Sequence, residues 1–356
     1  MGMLRGKLLP PVLAILFSAL LCGIALMVSG ANPLRAFGVM LGQIGQGTTA
    51  VDIINSTGTY YIAALAVAIG FQMNLFNIGV EGQYRVAAVV AAVVGGSIVL
   101  PPGLHALVII LTAAVAGALW AAVPAILKVT RGVNEVISTI MMNGLALGLA
   151  AYLIGSDVFG ELRGNNIRTP EIPHSGWVPG ISFGSSGTVF GLVFLAALLG
   201  IGYWVMMNRT RFGFELRASG ESSTAAAAGG VNAKKMILIA MLLSGAIAGL
   251  VSMPEILGRD HTYNLNFPAG IGFSGIAIAL LGRNHPGGIA FGALLWAFLD
   301  KSGLALDNVG VPREIVTIMQ GAIVLSVVVA YEVVRRFELA AQQRQVGRQL
   351  GTVDAA

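Results

Sequence analysis

From Leu8 to Val28 the chain reads LLPPVLAILFSALLCGIALMV, 21 residues without a charged side chain, and similar runs return at short intervals as far as Val333. About 20 apolar residues make one bilayer crossing. Repeated along a whole chain, such runs restrict the fold to helices in lipid, where each backbone polar group must be satisfied within its own span. Composition agrees: 56% of residues are hydrophobic and 10% charged, against roughly a quarter charged in soluble domains. The 48 glycines suit helices that pack through small residues. Cys22 is the single cysteine, which excludes a disulfide framework and a Cys-based metal site.

Spans are expected near 8–29, 50–70, 84–100, 104–127, 133–154, 188–207, 235–254, 270–282, 288–306 and 313–333. This is an all-α, polytopic membrane protein with about ten transmembrane or half-transmembrane helices. The eighth run is too short to cross at 1.5 Å per residue; it is a half-helix, or its boundaries lie elsewhere. The first span is expected to stay uncleaved, because no A-x-A-like site precedes Asn32. Ten passes put both termini on one side. With 15 of the 21 Lys and Arg on that side, the positive-inside rule makes it cytoplasmic. The positive charge therefore reads as a topology signal, with no nucleic-acid partner. Residues 1–337 form the membrane domain, with an outer loop at 155–187 and a cytoplasmic loop at 208–234. The outer loop reads equally as a partner's landing place or as a solvated connector, with Trp177 as an interfacial anchor. Residues 338–356 are a polar tail without a fold of its own.

One stretch breaks the apolar rhythm. Residues 71–83 read FQMNLFNIGVEGQ, with Gly70, Gly79 and Gly82 around the polar side chains. Irregular backbone at membrane depth survives only where protein buries it or a wet cavity meets it. Phe71, Met73, Asn74, Phe76, Asn77, Glu81 and Gln83 are therefore expected to line a transport path. Glu81 has two readings: it braces the break, with Arg85 four residues on as its partner, or it touches substrate. A buried charge costs about 2.5–3.5 kcal/mol on insertion scales, so a partner or water is needed in either case.

The 208–234 loop carries helix formers over Glu215–Ala228. Ser222, Ser223 and Thr224 offer caps for a short helix from about Thr224, and Gly229–Gly230 offers a stop. Arg217 and Glu221 are spaced to pair with each other or with a soluble partner.

Enzymatic and pump functions find little to work with. The chain has no G-x-x-x-x-G-K-S/T, so ATP-driven transport would need an ATPase on another chain. Asp52, Glu135, Glu255 and Asp300 fall near expected span ends, and Glu81 alone is a thin proton path for an ion-coupled carrier. His105, His174, His261 and His285 have no helical metal-pair spacing. No metal site or catalytic residue is expected, and the chain reads as no enzyme.

Four blocks carry a resemblance: GFQMNLFNIGVEGQ at 70–83, RGVNEVISTIMMNGLA at 131–146, RTRFGFELRASGESSTAAAAGGV at 209–231 and GFSGIAIALLGRNHPGG at 272–288. With them the chain resembles the inner-membrane permease subunits of bacterial ABC importers, in the branch for branched-chain amino acids, simple sugars and nucleosides. It is most similar to the nucleoside, purine-type members. The resemblance implies a bacterial cytoplasmic-membrane permease that works with an ABC ATPase holding ATP and Mg, a second permease in a heterodimer, and an extracytoplasmic substrate-binding lipoprotein. It places ATPase coupling at Arg217, Ala218, Glu221, Ala225, Ala226 and Gly229. The chain departs from the pattern at Ser222–Ser223–Thr224 and in its four-alanine run. A simple sugar such as ribose is the alternative substrate, and an ion-coupled secondary transporter the alternative class.

Overall fold

The computed structural model describes residues 2–164 and 166–353, with side chains over 12–164 and 166–337 and at Gln343. The chain forms two compact units, residues 1–44 with 299–356 and residues 45–298.

In the first unit, α1 (Gly2–Val28) turns by 109° into α2 (Pro33–Gly42). Asn32 makes that corner: its Oδ1 accepts the amides of Leu34 and Arg35 at 3.0 and 3.3 Å, and Pro33 occupies the first helical position.

The second unit starts with α3 (Gly47–Phe71) and α4 (Val80–Ser97). It continues through α5 (Leu104–Arg131), α6 (Glu135–Leu153), α7 (Val193–Arg209), α8 (Arg211–Glu221), α9 (Ser223–Ala228) and α10 (Ala233–Gly249). A short α11 (Met253–Glu255) leads into a π-helical turn, Ile256–Asp260, and then α12 (Ile271–Leu281). α13 (Pro286–Gly303) carries the chain back into the first unit, where α14 (Glu314–Val353) packs along α1 and buries Cys22, Leu26 and Met319.

A helix stands at each of the ten expected places. Six described helices are long and apolar enough to cross a membrane alone, or up to eight if each bent pair counts as one span. α4 falls short because Glu81 and Arg85 sit in its first turns. α12, at 11 residues, is about 16 Å long, half of a hydrocarbon core. The half-helix reading of that run therefore holds. The tail differs from expectation: α14 runs unbroken to Val353, so the polar residues after Phe337 extend a helix. Residues 354–356 lie outside the described residues.

α3 is the axis of the second unit. Its membrane-length window is 78% buried, against 28% for α5 and 22% for α6, whose apolar outer faces suit lipid. α5 and α10 cross so closely that a Cβ on Gly117, Gly245 or Gly249 would run into the facing backbone.

The 155–192 connection is largely exposed but folded. It holds two small antiparallel hairpins, β1 (Glu161–Arg163) with β2 (Asn166–Arg168) and β3 (Ile181–Ser182) with β4 (Thr188–Val189). Backbone bonds tie it to the turn after α11: Thr169 N to Tyr263 O, Ile172 N to His261 O and Val178 N to Leu257 O, each 2.9 Å. The buried ring of His105 contacts Ser175 Oγ at 2.8 Å and Gly95 O at 3.0 Å. Trp177, half-buried, stacks on His261 at 3.7 Å and donates its indole N–H to Ile172 O.

Candidate functional site

α3 ends because Asn74 takes the left-handed conformation, φ 53°. The amide of Asn74 bonds Phe71 O at 3.0 Å and that of Leu75 bonds Gly70 O at 3.0 Å, the pairing that closes a helix around a left-handed Asn or Gly. Gly70 leaves room for the reversal, since a Cβ there would lie 2.9 Å from Leu75 O.

The chain re-enters α4 through a braced turn. Asn77 and Gln83, each 1% exposed, exchange two amide hydrogen bonds of 3.0 Å. Asn77 Nδ2 also donates to Ser244 Oγ of α10, whose hydroxyl donates to Ala66 O of α3 at 2.6 Å. Asn143 of α6 accepts the amide of Gly82 at 2.8 Å and donates to Ile78 O at 3.0 Å. Three helices therefore hold the break through side-chain amides and a hydroxyl.

Glu81 is the junction of a second network. Its Oε1 accepts Arg85 Nε at 3.0 Å and the amide of Gly270 at 2.9 Å, while Oε2 accepts the amide of Gly272 at 3.0 Å. The Tyr84 hydroxyl lies 2.9 Å from Glu81 Oε1 and 2.7 Å from Pro268 O. Gly270 and Gly272 are the first amides of the half-helix α12. A carboxylate there satisfies orphan N–H groups and meets the positive end of the helix dipole. Arg85 is the partner anticipated from the spacing; the α12 contacts, 189 and 191 residues away in sequence, are new.

The expected path residues thus divide. The polar groups of Asn77, Glu81 and Gln83 are taken up by protein, and Met73 is buried. Phe71 and Phe76 meet edge-on at 5.1 Å, with Phe76 48% exposed, and Asn74 is exposed as well.

The 208–234 connection folds as two helices with a bend at Ser222, φ −156°. Ser222 caps α9, its Oγ accepting the amide of Ala225 at 3.2 Å. Gly230, φ 81°, closes α9 with Val231 N bonded to Ala226 O at 2.9 Å. Of the two readings for Arg217 and Glu221, pairing with each other is not made. Arg217 instead donates to the carbonyl of Met207 at the end of α7, and Arg211 pairs with Glu215 at 2.6 Å. Glu221, Ala225 and Gly229 face outward, Ala218 is half-buried and Ala226 is buried.

With this geometry in hand, the similarity to known proteins is decisive. The family described as branched-chain amino acid transport system / permease component matches residues 49–328. The chain belongs to that family. The match runs from the start of α3 into α14 and takes in both the break and the α8–α9 connection. The guanosine ABC transporter permease protein NupP of Bacillus subtilis (strain 168) is 34% identical over 338 residues, 92% of this permease and 95% of its own length. The glucose ABC transporter permease protein TsgB13 of Haloferax volcanii is 31% identical over 331 residues, 88% and 85% of the two chains. The nucleoside ABC transporter permease protein NupB of Lactococcus lactis subsp. cremoris is 29% identical over 335 residues, 91% and 92%. No solved structure matches the permease. It is a multi-pass protein of the cytoplasmic membrane and not an enzyme, and its family implies an ATPase and a substrate-binding protein as partners.

Sequence reasoning passed over Asn143, Ser244 and Gly220. The first two are polar residues inside apolar stretches of α6 and α10, a pattern that marks interhelical hydrogen bonding. Gly220 sits inside a run of helix formers, where glycine costs about 1 kcal/mol unless something needs the space.

Proposed function

We propose that this permease is the membrane channel of an ATP-driven nucleoside importer. The observation that carries the reading is its identity to guanosine and nucleoside permeases over nine-tenths of the chain. A partner ATPase binds ATP and Mg and grips the exposed face of α8–α9, at Glu221, Ala225 and Gly229. Arg217 and Ala226 support that face from within. The charge distribution supports cytoplasmic termini, with α8–α9 on the ATPase side. A second, similar permease completes the pore as a heterodimer, and a lipoprotein delivers substrate from outside.

On this reading Phe71 and Phe76 present aromatic surface to a flat base. Met73, Asn77, Glu81 and Gln83 hold that surface in place. The glucose permease relative keeps a simple sugar as the competing substrate. Competition against radiolabelled guanosine uptake in cells expressing the whole transporter separates the two. With guanosine saturating, adenosine of equal affinity at tenfold excess is expected to suppress uptake by about tenfold, as simple competition for one site requires, with ribose and glucose leaving it unchanged. Suppression by the sugars alone would move the assignment to sugars.

A further inference from the structure

Asn74 is where the break meets the α8–α9 arm. Its Nδ2 donates to Gly220 O at 2.7 Å across 146 residues of sequence. Beside that bond the two backbones touch: a Cβ at Gly220 would lie 2.8 Å from Met73 Cα and 2.9 Å from Gln72 O. The contact therefore needs glycine on one strand of the joint and a left-handed Asn on the other. Two neighbouring bonds reinforce it. Gln72 Nε2 donates to the Tyr203 hydroxyl at 3.1 Å, and that hydroxyl donates to Asn284 O at 2.8 Å. α8, the foot of α7 and the turn before α13 thus converge on the residues that end α3.

The helix end itself does not require the Asn74 side chain, because the bonds that close α3 are all backbone. Glycine would serve the left-handed position as well. The amide is spent on the arm. Backbone packed on backbone, with no side chain between, passes a displacement on without absorbing it in rotamer changes.

We propose that Asn74 and Gly220 form the joint through which movement of the α8–α9 arm reaches α3 and the break. Asn74 is then a positioning residue for transmission and makes no substrate contact. The proposal rests on the ATP-driven reading above and deepens it. It names the contact that links the two regions.

Three variants test it in proteoliposomes holding the whole transporter. Asn74→Gly keeps the left-handed backbone and removes the donor. Asn74→Asp keeps size and backbone preference but turns an acceptor toward the Gly220 carbonyl. Gly220→Ala forces the two backbones apart. In all three, ATPase co-purification, basal ATP hydrolysis and KM for nucleoside are expected to stay within about twofold, while nucleoside moved per ATP falls about tenfold, a typical coupling loss. A raised KM with native turnover would make Asn74 a substrate contact and overturn the proposal. Native transport per ATP, or loss of co-purification together with transport, would overturn it too. The unaltered chain run alongside separates the two levels: if it retains no ATPase, the importer reading fails and the joint falls with it.

Discussion

Glu81→Ala is expected to dismantle the start of the half-helix and to abolish transport. The substitution strips the amides of Gly270 and Gly272 of their acceptor and leaves Arg85, 6% exposed, without its partner. Removing one member of a buried ion pair costs about 3–5 kcal/mol, because the other charge stays buried. Total stabilities run at about 5–15 kcal/mol, so the loss is a large fraction of the whole. The expected result is a much lower yield of folded protein and a melting temperature in detergent lowered by several degrees. Glu81→Gln is the sharper comparison. It can still accept one hydrogen bond, but its amide nitrogen faces donors, so it is expected to melt between the native protein and the alanine variant. If Glu81→Gln melted like the native protein and lost uptake, Glu81 would be a substrate contact. If Glu81→Ala melted and transported like the native protein, the bracing role would be wrong.

Gly245→Leu carries the second large effect. Gly245 lies against Gly117 and Ala121 at the α5–α10 crossing, and even a Cβ would overlap the facing carbonyl. Overpacking a well-filled core costs about 1–3 kcal/mol where backbone can shift. Here the obstacles are the Ala121 methyl and the Gly117 carbonyl, neither of which can turn aside, which places the cost at or above the top of that range. α10 also carries Ser244, which ties the break to α3. Displacing α10 therefore loosens the Asn77–Gln83 brace as well. The expected outcome is aggregation on detergent extraction, read by size-exclusion chromatography. Gly202→Leu on the open face of α7, where a Cβ meets nothing within 4 Å, is expected to elute normally. Equal behaviour of the two would contradict the close crossing.

Much of this architecture was legible from residues alone. Length and apolarity anticipated a helix at ten places, because one bilayer crossing sets a length scale for apolar runs. The break announced itself through polar residues that lipid would reject, and the 13-residue apolar run through a length that cannot cross. Gly229–Gly230 announced the end of α9, since the left-handed turn favours glycine. What stayed hidden depends on contacts far apart in sequence. Nothing local to Glu81 signals that it caps a helix 189 residues later. The spacing of Arg217 and Glu221 allowed a pair, but a helix-end carbonyl at Met207 captured the guanidinium first. The long Pro- and Gly-rich connection after α6 read as a loop because its hairpins are two or three residues per strand. The first hairpin is tied to the segment that follows α11, through Arg168 and Thr169, and the second to Asn55 of α3, which bonds Thr188 O and the amide of Phe190.

The central claim is that this chain supplies a passage and another chain supplies the drive. It is tested most directly by uptake into proteoliposomes containing the permease with its partner permease, ATPase and binding protein. The account predicts nucleoside accumulation that requires ATP and Mg on the ATPase side, stops when the ATPase is omitted, and is indifferent to ionophores that collapse proton and sodium gradients. Accumulation by the permease without the ATPase, or its loss on collapsing an ion gradient, would contradict it.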